Sequence, residues 1–149
     1  MMLAKNKKYA ALSVLLILSI FFMAAIFLRF GGRRVVEIKG KKFIAETVLS
    51  PEKQGRGLGG RSGICRICAM LFEFEDSARR SFWMKDMEFD LDIIWISGEE
   101  IVFIARDVPY DSKKIISPDL AADKVLEINS GLSDEFGFNE GDRVKIYPF

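Results

Sequence analysis

Residues 70–96 read MLFEFEDSARRSFWMKDMEFDLDIIWI, and the periodicity of this stretch decides the fold class. Met70, Phe72 and Phe74 alternate with Leu71, Glu73 and Glu75, the period-two pattern of a strand with one buried face. The polar residues 75–78 read as a turn. Phe82 and Met84 alternate with Ser81, Trp83 and Lys85, which reads as the returning strand of an antiparallel pair. Ile93, Ile94, Trp95 and Ile96 are apolar on both faces, so their strand belongs in the middle of a sheet, covered on each side. The stretch carries both tryptophans of the chain and predicts a β core.

Working outward from it, the N-terminal side differs sharply in composition. No charged residue occurs from Tyr9 to Leu28. A helix of about 20 residues rising about 1.5 Å each spans the hydrocarbon layer of a bilayer. The expected organisation is therefore a basic tail over 1–8, a transmembrane anchor over 9–30 that meets lipid through 9–28, a basic linker over 31–34 and one domain over 35–149. The apolar run is too long, and lacks the small-x-small site, for a cleaved signal peptide. Lys5, Lys7 and Lys8 precede the span, while Arg29, Arg33 and Arg34 follow it, with Lys39, Lys41 and Lys42 close behind. That tally slightly favours a cytoplasmic C-terminal domain.

Six of the 22 basic residues precede Val35, leaving 16 in the domain against all 21 acidic ones, a net charge of −5. Such a domain does not suit a phosphate backbone, so no nucleic-acid partner is expected. Histidine is absent, which excludes every nucleophile arrangement that needs it as a base. The scarcity of Asn and Gln beside abundant Lys, Arg, Glu and Ile resembles the thermophile trend.

Within the domain, Val36 and Ile38, a turn at Gly40 and an apolar run from Phe43 to Leu49 read as a hairpin. Ser50-Pro51-Glu52 starts a short helix, with Ser50 as N-cap and Pro51 at the first helical position. Ser97-Gly98-Glu99 is a turn into a strand over 100–108, and 109–119 is a long proline-bounded loop suited to a site rim. Lys124 to Asn129 reads as a strand, Ser130 as the cap of a brief helix ending at Gly137, and 143–147 as a last strand. The fold class is mainly β: a compact antiparallel barrel or sandwich with one or two short helices, preceded by the single N-terminal transmembrane helix.

Three constellations bear on chemistry. Cys65 and Cys68, the two cysteines, cannot complete a closed zinc site without histidine or a second pair. They form either a local disulfide or ordinary thiols, or else a redox pair activated by Arg66, although such pairs usually precede a helix and here a strand follows. Asp86, Glu88, Asp90 and Asp92 would share one face at about 6.8 Å spacing if extended. Asp90 and Asp92 are then weak candidates for a divalent cation, against the plainer reading of a solvated face balanced by Arg79, Arg80 and Lys85. An EF-hand is excluded, since Leu91 stands where the loop needs glycine. Finally, Arg56, Arg61, Trp83 and Lys85 are candidates to line a ligand groove; the alternative is that Trp83 packs under the 109–119 loop.

Gly57-Leu58 with Arg61, Met70-Leu71-Phe72, Phe82-Trp83-Met84-Lys85, Leu91-Asp92-Ile93-Ile94, Val125-Leu126-Glu127, Gly131 and Gly141-Asp142 together resemble the domain-of-unknown-function family numbered 192. The resemblance runs in order over 46–146. It implies a compact, mostly β domain, often exported or membrane-anchored, without an established activity, and it favours an outward-facing domain. Asp86-Met87, Asp90 and Gly59 depart from the family's usual Asn-Thr, Pro and Met, so the acidic row belongs to this chain. The expected function is that of a membrane-anchored, extracytoplasmic, non-catalytic binding or assembly module. Arg56, Arg61, Trp83, Lys85 and Asp92 would surround its groove, its partner would be an unknown protein or small molecule, and no cofactor is expected. The alternatives are a thiol-disulfide redox protein using Cys65 and Cys68, and a divalent-cation-binding domain.

Overall fold

A computed structural model describes residues 16–19, 22 and 32–149. The chain divides into two compact units, Met1–Gly32 and Arg33–Phe149. In the first, residues 16–19 and 22 are helical, and Leu16, Ile17, Leu18 and Phe22 are exposed. The rest of the anchor expected over 9–30 lies outside the described residues, as do the tail 1–8 and residue 31. Among the described residues no helix is long and apolar enough to cross a membrane.

The second unit is a single seven-stranded sheet. Its strands are β1 (Arg33–Ile38), β2 (Lys41–Val48), β3 (Cys68–Arg79), β4 (Leu91–Ser97), β5 (Glu100–Val108), β6 (Ala121–Asn129) and β7 (Val144–Pro148). They lie in the order β5-β4-β6-β3-β2-β1-β7. Every neighbouring pair is antiparallel except β2 with β3. A parallel pair needs a crossover, and residues 49–67 supply it, carrying the short helix α1 (Pro51–Arg56). The sheet curls into a half-barrel whose edge strands meet at one end. Ile101 N–H donates to the Asp142 carbonyl at 3.0 Å and Val144 N–H to that of Glu99 at 2.8 Å. The mainly β expectation holds, but as one curled sheet, not two stacked ones.

Local chemistry sets the turns. Lys39 and Gly40 both have positive φ, 49° and 76°, the geometry that matches a tight hairpin to strand twist. The Ser50 hydroxyl accepts from Lys53 N–H, Pro51 opens α1, and Gly57 ends it. The second helix, α2 (Leu132–Glu135), is capped differently from the sequence reading. Gly131 at φ 79° is its N-cap, and the Ser130 hydroxyl instead reaches Asp107 Oδ1 at 2.5 Å. A left-handed cap suits glycine, so serine yields the position to its neighbour.

Both faces of the sheet are covered. One core packs Val36, Ile38, Phe43, Leu71, Ile94, Ile96, Leu126, Ile128, Leu132 and Phe138. The other packs Val48, Leu58, Met70, Phe72, Met84, Ile93, Trp95 and Val125. Strand β4 sits between β5 and β6 and is buried from Leu91 through Ile96, as a run apolar on both faces requires.

The expected hairpin between 70–74 and 82–84 does not form. Residues 75–78 continue β3, with a register shift against β6 between Glu73 and Ala78. Asp76 and Ser77, residue types common in turns, stay in extended strand there. Phe82 pairs instead with Ile116 of the long loop, through backbone hydrogen bonds of 2.9 and 2.8 Å. Its ring is held edge-on between Phe72, at 4.9 Å, and Trp95, at 5.6 Å. Trp95 in turn donates its indole N–H to the Arg80 carbonyl at 2.9 Å. Aromatic packing therefore places residues 80–90 over the second core without adding a strand.

Candidate functional site

That overlying segment and α1 leave a cavity of about 340 Å³ on the second face. Gln54, Gly55 and Arg56 of α1 form one side, with Gly57 and Leu58 beyond it. Phe72, Phe74 and Arg79 of β3, residues 80–83, Lys85, Met87 and Glu127 of β6 complete it. Burial grades from floor to mouth: Leu58, Phe72 and Glu127 are buried, whereas Arg56, Trp83 and Lys85 are exposed. Gln54 is committed to the Val48 and Glu73 carbonyls, and so orients α1 against the sheet. Arg80 stacks 4.0 Å from the Phe74 ring centroid and pairs with Asp76, and Arg79 pairs with Asp119. Arg56 and Lys85 have no acidic partner within salt-bridge distance among the described residues.

Glu127 is the group that sequence reasoning passed over. In register it lies between Met70 on β3 and Ile93 on β4, so apolar side chains flank it on both sides of its own strand. It is 5% exposed, and its Oε2 has no hydrogen-bond partner among the described residues. Burial pushes its carboxyl up from the ordinary 4.5 to about 8, against the opposing pull of the Arg61 guanidinium. The signal was a lone carboxylate in the apolar run Val125-Leu126-Glu127-Ile128, where period two puts Val125 on its own face.

Two of the five residues expected around one groove lie elsewhere. Arg61 donates to Glu46 at 3.0 Å and borders a neighbouring depression with Val48, Lys53 and Met70. Asp92 is fully buried and works as a backbone acceptor: Oδ1 takes N–H groups from Asp107 at 2.8 Å and Gly131 at 3.3 Å, and Oδ2 takes that of Ser133 at 2.7 Å. Arg56, Trp83 and Lys85 do line the cavity, and Trp83 stands 53% exposed there.

The acidic row does not share a face, because residues 80–90 contain no strand. Asp86 adopts φ 56°, and its carbonyl accepts from Gly60 N–H at 2.7 Å. Asp90 Oδ1 accepts from Tyr110 N–H at 2.7 Å and so pins the start of the long loop. Asp90 and Asp92 thus both accept from backbone donors. No group of three or more metal-ligating side chains occurs among the described residues. Gly59 accounts for the close approach of two loops at the cavity edge. A Cβ there would stand 2.9 Å from the Arg56 carbonyl oxygen and 3.1 Å from that of Lys85.

Cys65 and Cys68 are joined in a disulfide. The bridge closes the turn that leads into β3, and Asn129 steadies it by donating to the Cys65 carbonyl at 3.1 Å. A strand and not a helix follows, so the helix N-terminus that activates many redox thiols is missing.

These features define a class: a small β half-barrel with a covered second face and a cation-rimmed cavity. The chain belongs to the DUF192 family, described as Uncharacterized ACR, whose model matches residues 34–146. Two solved structures are similar to it. One is a Sinorhizobium meliloti 1021 protein with the provisional description of a transcription regulator. It is 27% identical, with a TM-score of 0.72 over 76% of this chain and 92% of that one. The other is a protein of unknown function from Novosphingobium aromaticivorans DSM 12444. It is 28% identical, with a TM-score of 0.69 over 76% and 83% of the two chains. A comparison with curated proteins finds no match.

Proposed function

We propose that the chain is a membrane-anchored, extracytoplasmic, non-catalytic binding module whose cavity captures a small organic ligand. One observation carries this reading: the aromatic-walled cavity holds Arg56 and Lys85 at its mouth, both without an acidic partner among the described residues. An apolar pocket with a few convergent polar groups is the usual form of a small-molecule site. Ser81, the hydroxyl on its wall, bonds to the Ser117 hydroxyl at 2.8 Å and not to a base, which favours binding over covalent catalysis. The regulator description of the Sinorhizobium protein would suggest nucleic acid for this chain. The net charge of −5 over 35–149 argues for a different partner.

The test is ligand-observed NMR on the full-length chain in detergent, against a mixed set of small organic anions, cations and neutral compounds. Trp83→Ala with Lys85→Ala should lose the binders of the wild type while the melting temperature moves by no more than about 2 °C, since both side chains are exposed. Binders that persist in the double variant would remove the cavity from consideration. A large drop in melting temperature would instead make the two residues structural.

The apolar run over 9–28 supports the anchor, and the disulfide supports an oxidising compartment. In intact cells a membrane-impermeant maleimide should label Cys65 and Cys68 only after an impermeant reductant has opened the bridge. Labelling that requires lysis would place the domain inside and end the extracytoplasmic reading.

A further inference from the structure

Resting on that binding reading, we infer that the cavity takes a hydroxyl-bearing aromatic anion, its hydroxyl bonded to Glu127 at the floor and its negative group between Arg56 and Lys85 at the mouth. Geometry sets the polarity of the ligand. Glu127 is on the floor, 95% buried, with Oε2 lacking a hydrogen-bond partner among the described residues. A buried polar atom in that state is costly, and a ligand that reaches it removes the cost on binding. Arg56 and Lys85, without an acidic partner among the described residues, line the cavity where it is exposed to water.

The floor selects a hydroxyl over an amine. Burial holds the Glu127 carboxyl protonated at neutral pH, with its value near 8, so it offers one O–H donor and a carbonyl acceptor. A hydroxyl accepts from the first and donates to the second without bringing charge into apolar surroundings. An ammonium group would have to pass Arg56 and Lys85 and then be desolvated beside Met70 and Ile93.

The walls supply the ring preference. Phe72, Phe74 and Phe82 present apolar surface, and Trp83 presents an open indole at the mouth. The cavity of about 340 Å³ corresponds to about eleven atoms at the roughly 30 Å³ that a water occupies, a single-ring molecule and not a nucleotide.

The test titrates the full-length chain in detergent at pH 6 with 4-hydroxyphenylacetate, phenylacetate and tyramine, read by calorimetry. The hydroxylated anion should bind about tenfold more tightly than phenylacetate, the equivalent of one well-placed hydrogen bond, and tyramine should not saturate. Glu127→Leu should abolish the preference while phenylacetate keeps its affinity, and Glu127→Gln should retain it. If Glu127→Leu does not fold, Glu127→Met takes its place. Equal affinity for the two anions in the wild type, or a preference that survives in Glu127→Leu, would overturn the inference. Failure of both anions to bind, while other compounds in the NMR set still bind through Trp83 and Lys85, overturns this ligand class and leaves the binding module standing. If nothing binds there, both fall.

Discussion

Replacing Asp92 with alanine is expected to lower the free energy of unfolding by about 3–5 kcal/mol, since each buried donor left without an acceptor costs about 1–3 kcal/mol and three are left. Its two oxygens accept three backbone N–H groups, from Asp107, Gly131 and Ser133. Those donors belong to the far end of β5 and the start of α2, so one side chain on the interior strand β4 ties together three elements. The Asp107 donor is the most dependent, because that residue sits at φ 47° in a bulge, where the register between β4 and β5 slips between Leu91 and Ile93. Alanine leaves all three donors buried without an acceptor. Asp92→Asn should cost less, since a retained oxygen still serves two donors while the amide group opposes only the third. Urea unfolding of the full-length chain, followed by near-ultraviolet circular dichroism, measures both. A loss below about 1 kcal/mol for alanine would mean that water replaces the carboxylate and that the site is less closed than its burial implies.

The second large effect is a pH dependence with an unusual sign for a carboxyl group. Glu127 has its folded value raised to about 8 from 4.5, so between those limits the folded chain keeps a proton that the unfolded chain has lost. Stability is therefore full below 4.5, declines as pH rises through the window, and levels off above about 8. The slope attributable to this residue is about 1.4 kcal/mol per pH unit at its steepest. Arg61 is the charged group that acts on it, and Arg61 already pairs with Glu46. Glu127→Gln should flatten that part of the profile, gaining on the wild type at pH 8 relative to pH 5. Parallel profiles for the two proteins would show that Glu127 ionises freely and is wetter than its place between Met70 and Ile93 suggests.

Where the sequence was legible, short-range chemistry set the outcome. Ser50-Pro51 opening a helix, glycines 40 and 98 reversing hairpins, and the doubly apolar 93–96 run finding a strand covered on both faces, though one next to the sheet edge, all follow from a few adjacent residues. Where it misled, partners distant in sequence decided. Phe82 looks like part of a strand because its neighbours alternate, yet its place is set by Phe72, Trp95 and the backbone of Ile116, none of them local. Asp92 sits in a row of alternating acids that resembles a solvated face, and only the return of residues 107 and 131–133 shows it buried. For the same reason Glu127 stayed hidden. A strand written Val-Leu-Glu-Ile shows its carboxylate pointing somewhere, but not that the neighbouring strands place methionine and isoleucine beside it.

The division of the sheet into two independently packed sides bears on how such a domain diversifies. One side, closed by α2 and the curl of β1, β2 and β7, holds the architecture together without lining the cavity. Much of the cavity is built on the opposite side by a six-residue helix and an irregular segment resting on the strands. Sequence change in those two pieces can therefore reshape the cavity while the scaffold beneath keeps its own supports.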